Sequence, residues 1–155
     1  MNATRIRPAL PDDSVFVVTA AQRLAAFGLP DWRPGEEIVS GEVRTLRAFF
    51  EAPPAGSALL IADSEEGRSL GFVYLERLQD YFTLAEHGHV GMLVVTEEAA
   101  GKGVGGALMR AAETWARQQG YRKLTLTTFE GNDAARAVYE HLGYAVETLR
   151  YVKIL

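Results

Sequence analysis

Cysteine does not occur among the 155 residues of the chain. Its absence excludes disulfide bonds, thiolate catalysis and cysteine-ligated metal sites. An excess of basic residues is also missing, since the formal net charge is −4, and this argues against general nucleic-acid binding. No apolar run approaches the roughly eighteen residues that a membrane span requires. The first residues carry arginines without an apolar stretch behind them, so we expect no secretory signal, no membrane partner and a cytoplasmic location.

The composition that is present is typical of a globular protein, with 48% hydrophobic and 23% charged residues. The length suits one domain with a substantial core. Strand-like and helix-like segments alternate. The runs "SALLIAD" and "LGFVYLERL" are predicted to form an antiparallel hairpin, "KLTLTTF" a further strand, and the C-terminal "YAVETLRYVKIL" one long or two short strands. We therefore expect an α/β (α+β) fold, one domain over residues 1–155. Its mixed, mostly antiparallel central sheet of six to seven strands is flanked by about four helices.

The most informative segment is the loop "GKGVGG", Gly101 to Gly106, which follows the apolar strand "HVGMLVV" and precedes a helix predicted from Val104 to Gly120. A glycine loop at the start of a helix exposes backbone N–H groups and the positive end of the helix dipole. Lys102 adds a full positive charge. The loop is therefore a candidate site for a phosphate or pyrophosphate.

The glycine pattern can be compared with three known kinds of loop. A Walker loop is excluded because Lys102 is followed by Gly103 rather than by serine or threonine. The dinucleotide pattern G-x-G-x-x-G is satisfied by Gly101, Gly103 and Gly106, but "TEEAA" separates the strand from the first glycine, where that fold places almost no residues. A flexible connector that binds nothing is the third interpretation.

Several motifs together resemble the Gcn5-related N-acetyltransferase (GNAT) family. The family signature is glutamine or arginine, two residues, glycine, one residue, then glycine or alanine; "AGKGVG" matches it at Gly103 and Gly105 and departs from it at Ala100. "IRPALPDD" is similar to the family's opening strand and helix start, and "LVV", Leu93 to Val95, to its splayed, bulged strand. "NDAARAVYEHLGY" is similar to its late helix. The order of these motifs agrees with the family over nearly the whole chain.

The resemblance implies that acetyl-CoA is the co-substrate and that no metal takes part. It places the backbone N–H of Val95 toward the thioester carbonyl, and it implies that one side-chain contact to the cofactor is missing at Ala100. The residues that the resemblance assigns to the cofactor site are Leu93, Val94, Val95, Gly101, Lys102, Gly103, Val104, Gly105, Gly106, Asn132 and Tyr139.

Catalytic roles are predicted for a proton donor and a proton acceptor. Tyr139 is the candidate general acid for the leaving thiolate, although its helical spacing also suits a tyrosine packed against the sheet. The family's usual glutamate in the strand before the loop is replaced by Gly91. His89 is our first candidate for the base, because it lies two residues before Gly91 and hence on the same strand face. Glu86 is second and a water relay third.

The sequence therefore predicts an N-acetyltransferase whose acceptor, a primary amine of a small molecule or peptide, attacks acetyl-CoA directly in a ternary complex. A cysteinyl acyl-enzyme is excluded by composition. The alternative is a non-catalytic acyl-CoA-binding domain of the same fold. Trp32 and Arg33 fall where the family shapes its acceptor pocket. The acceptor itself stays open, and the resemblance allows a homodimer.

Overall fold

The structure is a computed structural model that describes residues 3–155. Its centre is a five-stranded sheet with the order β1-β2-β3-β4-β5. The first four strands pair antiparallel with their neighbours, and β5 pairs parallel with β4. The strands are β1 (Arg5–Pro8), β2 (Ala58–Asp63), β3 (Ser69–Gln79), β4 (Glu86–Val95) and β5 (Leu124–Leu126).

Four α-helices cover the two faces of this sheet. They are α1 (Ser14–Ala20), α2 (Gly35–Glu51), α3 (Val104–Gln118) and α4 (Asp133–His141). A 3₁₀ turn over Ala21–Ala25 continues α1. None of the helices in the described residues is long and apolar enough to cross a membrane.

The sheet separates two apolar cores because neighbouring side chains of a strand point to opposite faces. On one face Phe72 and Tyr74 of β3 pack with Leu46 of α2, and we call this the α2 face. On the other, Val73 and Leu75 pack with residues of α3, and we call this the α3 face. The fold is therefore a three-layer α/β arrangement in which β3 and β4 are buried on both sides.

Ion pairs connect β1 to the start of the first helical segment and to β2. The guanidinium of Arg7 contacts Asp13 at 2.8 Å and Asp63 of β2 at 2.5 Å. Hydrogen bonds from Arg7 hold the pKa of Asp13 below its usual range. These contacts fix the N-terminal strand at the sheet edge and set the direction in which α1 leaves it.

The predicted number of strands is wrong. The sheet has five strands rather than six to seven, and within the described residues no strand follows Tyr144. Residues 145–155 are all exposed, including Leu149 and Tyr151. A strand needs a paired neighbour and a buried face, and the alternating pattern of this segment obtains neither from the rest of the chain.

Candidate active site

The sheet opens between β4 and β5. Only Gly88, His89 and Val90 of β4 pair with β5, whose ladder ends at Leu126. Strand β4 continues to Val95, so its last five residues have no strand partner on that side among the described residues. A backbone edge of this kind offers unpaired N–H and C=O groups to a ligand that lies between the two strands. Of the predicted strand contacts, Leu93 and Val95 direct their backbone groups to this edge, whereas those of Val94, which pairs with Phe72, point toward β3.

A β-bulge lies where β4 leaves β5. Tyr74 pairs with Met92, and the next residue of β3, Leu75, pairs with Val90, so Gly91 is the extra residue. A bulge bends its strand and increases the local twist. The bulge therefore accompanies the separation of β4 from β5, and it lies two residues before Leu93 rather than within Leu93–Val95.

The glycine loop lies beside the unpaired edge of β4. Gly101 and Gly103 have φ angles of 73° and 81°, which favour glycine, and a Cβ on either residue would meet no atom within 4 Å. Gly103 caps α3 without a side-chain hydrogen bond. The N–H groups of the first helical residues, Val104, Gly105 and Gly106, have no carbonyl one turn earlier to bind.

The loop and the strand edge form one surface. A Cβ on Gly105 would lie 3.6 Å from the Cγ2 atom of Val95, so the first turn of α3 packs against the end of β4. Ala100 and Lys102 are exposed beside this surface. The Val104 side chain is buried, so the backbone N–H is the part of Val104 that a ligand can bind. Open space, unclaimed backbone donors and a nearby lysine fit the pyrophosphate of coenzyme A.

Helix α4 supplies the two predicted residues from the C-terminal third of the chain. The Oδ1 atom of Asn132 accepts a hydrogen bond of 3.3 Å from the Ala135 N–H, so Asn132 caps α4. Tyr139 is half-buried and, like Leu93 and Val95, packs against the apolar cluster of the α3 face. Burial raises the pKa of the Tyr139 phenol. The structure thus places Tyr139 on the same face of the sheet as the side chains of Leu93 and Val95, at the unpaired end of β4.

The two predicted bases lie at different places along β4. His89 pairs with Thr125 of β5, and its Nδ1 atom lies 2.8 Å from the Thr125 hydroxyl. Burial, with a smaller contribution from the charge of His87, lowers the pKa of His89. Glu86, the first residue of β4, is exposed, and its Oε1 atom lies 3.6 Å from the Nε atom of Arg77. Five strand positions separate Glu86 from Gly91, roughly 16 Å at the usual rise.

A carboxylate that the sequence reasoning missed lies directly against the bulge. A Cβ built on Gly91 would lie 2.9 Å from the Oε2 atom of Glu76 on β3. Burial raises the pKa of Glu76, and burial together with the charge of Glu76 raises that of Glu42 on α2. The available signal was the strand alternation, which places Glu76 on the α2 face with Phe72 and Tyr74.

The segment between the first two helices packs against the start of α4. A Cβ on Gly28 would lie 2.4 Å from the backbone nitrogen of Asn132, so the approach requires glycine. The Nε atom of Arg23, in the preceding 3₁₀ turn, donates a hydrogen bond of 2.7 Å to the carbonyl of Val95. Trp32 and Arg33 of the same segment are exposed. These contacts connect the predicted acceptor loop to both sides of the opening between β4 and β5.

Solved structures of other proteins share this fold over nearly the whole chain. A putative acetyl transferase from Pyrococcus furiosus superposes with a TM-score of 0.80 at 21% sequence identity, over 99% of this chain and 100% of that one. The aminoglycoside antibiotic 6′-N-acetyltransferase AAC(6′)-Ih from Acinetobacter baumannii superposes with a TM-score of 0.70 at 16% identity, over 99% of both chains. At these identities the likeness concerns the fold.

Sequence relatives and a family model agree with the structural likeness. The uncharacterized N-acetyltransferase YhfO of Bacillus subtilis (strain 168) is 37% identical over 59% of this chain and 61% of its own length. An aminoglycoside N(6′)-acetyltransferase type 1 of Stenotrophomonas maltophilia is 32% identical over 63% of this chain and 65% of its own. The chain thus spans somewhat less than two thirds of these curated relatives. The model of the acetyltransferase (GNAT) family matches residues 22–144. The chain belongs to the acetyltransferase (GNAT) family.

Proposed function

We propose that the protein transfers the acetyl group of acetyl-CoA to a primary amine of a small molecule or peptide, by direct attack within a ternary complex. The observation that carries this proposal is the unpaired edge of β4 beside the glycine loop. An extended ligand with a phosphate end and a peptide-like arm matches both parts. The N–H groups at the start of α3 suit the pyrophosphate, and the backbone groups of Leu93 and the N–H of Val95, which point away from β3, suit the pantetheine arm.

Acetyl-CoA would supply an acyl group activated as a thioester, with a thiolate as the leaving group. The N–H of Val95 is our candidate donor to the thioester carbonyl, where an N–H stabilises the negative charge that develops on oxygen. Arg23 holds the Val95 carbonyl at 2.7 Å and so helps to orient this peptide segment. The hydroxyl of Tyr139 is the candidate proton donor to sulfur. Its raised pKa keeps it protonated at neutral pH.

The names of two relatives direct the search for the acceptor. Proteins named aminoglycoside N(6′)-acetyltransferase type 1, from Stenotrophomonas maltophilia and Klebsiella aerogenes, are 32% and 34% identical to the chain. Aminoglycosides carry several primary amino groups, which are cationic at neutral pH. The chain has a net charge of −4, which is compatible with a cationic acceptor. Aminoglycosides with a 6′-amine are therefore the first acceptors to test.

The test is the release of free thiol from acetyl-CoA in the presence of a panel of amines. The panel includes 6′-amino aminoglycosides, polyamines, amino acids and peptides with a free N-terminus. We expect thiol release that depends on one class of amine, together with a product heavier by one acetyl group in mass spectrometry. Binding of acetyl-CoA without amine-dependent turnover would instead favour a non-catalytic acyl-CoA-binding domain.

A further inference from the structure

We propose that Glu76 on β3 is the catalytic base of this site, a carboxylate that reaches the acceptor amine through the space that Gly91 leaves open on β4. This inference rests on the proposed acetyl transfer. It assigns the proton acceptor to a strand other than the one on which the sequence motifs place it.

The position of Glu76 follows from the bulge. Gly91 is the extra residue of β4 and the first one beyond the ladder with β5, so it marks the point where the two strands separate. The Oε2 atom of Glu76 lies 2.9 Å from the position that a Cβ of residue 91 would take, and the Cδ1 atom of Tyr74 lies 3.0 Å from it. A side chain at this position would displace the Glu76 carboxylate from where it lies. The glycine therefore allows Glu76 to lie against the β4 backbone at the opening.

Glu76 lacks the partners that other carboxylates of the fold have. Asp13 and Asp63 contact Arg7, and Asp80 contacts Lys123. For Glu76, no salt bridge or side-chain hydrogen bond joins it to another described residue. A half-buried carboxylate without a cation is costly, and a bound ammonium group offsets that cost.

The surroundings of Glu76 make it a stronger base than an exposed glutamate. The titratable groups near it are Glu42 from α2, Tyr74 from its own strand and His89, its pairing partner on β4. Burial raises the pKa of Glu76. The negative charge that it carries when ionised also attracts the ammonium form of the acceptor. The Nδ1 atom of His89 is already in contact with Thr125, and burial lowers the pKa of that imidazole.

The proton balance of the transfer is simple. The acceptor ammonium gives one proton to the Glu76 carboxylate, and its nitrogen thereby gains a free electron pair. The nitrogen–carbon bond then forms with that pair while the carbon–sulfur bond breaks and its electrons leave on sulfur. The Tyr139 hydroxyl gives its proton to the thiolate. The nitrogen of the new amide loses its second proton, which passes through water to the Tyr139 phenolate, while the proton held by Glu76 leaves to solvent, so both side chains return to their starting forms. The products are an amide, a thiol and one proton.

The experiment compares kcat/KM as a function of pH for the wild type, Glu76→Gln, His89→Gln and the control Glu51→Gln. Glu51 is an exposed glutamate at the end of α2, so its replacement removes the same charge at a distance from the bulge. The pKa of Glu76 is measured independently by carbon-13 NMR titration of its carboxyl carbon in the free protein. The acidic limb of kcat/KM reports a group of the free enzyme, so the two values must coincide if Glu76 is the base.

We expect Glu76→Gln to lower kcat/KM roughly 100-fold or more at neutral pH. The fall of kcat/KM at acidic pH, which reports protonation of the base, should disappear in this variant. Its stabilisation by acetyl-CoA should stay at the wild-type value, because the carboxylate lies at the acceptor side. Glu51→Gln should keep the wild-type kcat/KM at neutral pH and the wild-type fall at acidic pH. An active wild type with an unchanged Glu76→Gln profile would overturn this inference alone. A wild type that releases no thiol with any amine of the panel would overturn the proposed function as well.

A relocation variant tests the role by gain of activity. In Glu76→Ala/Gly91→Glu the carboxylate moves from β3 to β4. The close approach of 2.9 Å between a Cβ of residue 91 and the Oε2 atom of Glu76 is then absent. The Tyr74 ring must still shift by a few tenths of an ångström, so the folded state of the variant is checked by its melting temperature. We expect at least about tenfold recovery over Glu76→Ala, within the range that a positioned base contributes. A folded double variant at the rate of Glu76→Ala would contradict the assignment.

Discussion

The side chain of Tyr139 packs against the apolar cluster of the α3 face, as does that of the neighbouring Tyr144, whose hydroxyl donates a hydrogen bond of 3.2 Å to Glu113. The two rings pack edge to face with centroids 6.2 Å apart. This pair allows the chemical role of one phenol to be separated from the packing role of both.

We predict that Tyr139→Phe lowers kcat roughly 10- to 1000-fold while the melting temperature changes little, because only the proton donor is removed. Burial raises the pKa of Tyr139 above its ordinary value near 10. A general acid is active below its pKa, so the activity that depends on Tyr139 is complete at neutral pH and falls only in strongly alkaline solution. Steady-state kinetics with the best amine of the panel measure the effect.

The matched control is Tyr144→Phe, which removes a hydroxyl bonded to Glu113 from the same aromatic pair. We expect this variant to retain the wild-type kcat. Equal losses in both variants, or no loss in either, would mean that Tyr139 only packs against the sheet and that the leaving sulfur takes its proton from water.

Sequence reasoning at the residue scale is most specific where a motif carries its own geometry. The glycine pattern predicted which backbone groups would be exposed, and Gly91 revealed that the usual carboxylate is missing from β4. The position of Glu76 depends on the register of β3 against β4 and on one bulged residue. A shift of register by one residue turns every side chain to the other face, so the neighbour of Gly91 could not be predicted from spacing. The roles of His89 and Glu86 stay predictions.

The glycine loop allows a test at the scale of an element. Gly103→Val should raise the KM for acetyl-CoA strongly, because a branched side chain would fill the open space beside the helix start. The substitution also strains the backbone, since Gly103 has a φ angle of 81°. That strain costs about 1–2 kcal/mol for a left-handed non-glycine residue. Initial rates over a range of acetyl-CoA concentrations measure the KM.

Gly67→Val is the control for this strain. Gly67, in the turn between β2 and β3, has a φ angle of 78°, and a Cβ there would also meet no atom within 4 Å. We expect both variants to lose similar stability and only Gly103→Val to lose affinity for acetyl-CoA. Equal KM values for the two variants would contradict a cofactor role of the loop.

The junction between β1 and the first helical segment should give the fold a pH-dependent stability. Asp13→Asn weakens the charged contacts with Arg7 and should cost about 1–3 kcal/mol at pH 7. The folded-state pKa of Asp13 is lowered. Its contribution is therefore complete above the unfolded-state pKa near 4 and is lost as the pH falls through the lower folded value. Urea unfolding in an acid series measures this.

The exposed neighbour Asp12 provides the comparison for that series. Asp12→Asn removes the same charge beside the same turn, and no side-chain hydrogen bond joins Asp12 to another described residue. We expect it to leave the free energy of unfolding nearly unchanged. A difference between Asp13→Asn and the wild type that persists at the same size below pH 3 would contradict the ion-pair explanation.

Elements with a strong period were predicted well, and those that depend on a partner were not. The helical face of α3 and the hairpin of β2 and β3 follow directly from apolar spacing. The segment "KLTLTTF" forms a strand only over Leu124–Leu126, because β4 bends away after Val90. The C-terminal alternation forms no strand for a similar reason: pairing is a property of the whole sheet.

At the scale of the whole molecule, the match to the family model over residues 22–144 and the likeness in fold to solved structures agree. The central sheet of this scaffold is open between β4 and β5. Sequence reasoning predicted this scaffold because the order of motifs is preserved over most of the chain. It could not count the strands, and it could not identify the acceptor. The acceptor depends on loops and side chains around the opening, which have no periodic signal.

The central claim is that the glycine loop and the unpaired edge of β4 bind acetyl-CoA. Thermal unfolding in the presence of acetyl-CoA, of NAD and of neither tests it most directly. At about 100 times its Kd a ligand adds roughly 2.7 kcal/mol, which for a domain of this size raises the melting temperature by roughly 5–10 °C. We expect this shift with acetyl-CoA, none with NAD, and none with either ligand for Gly103→Val. An equal shift with NAD, or no shift with saturating acetyl-CoA, would contradict it.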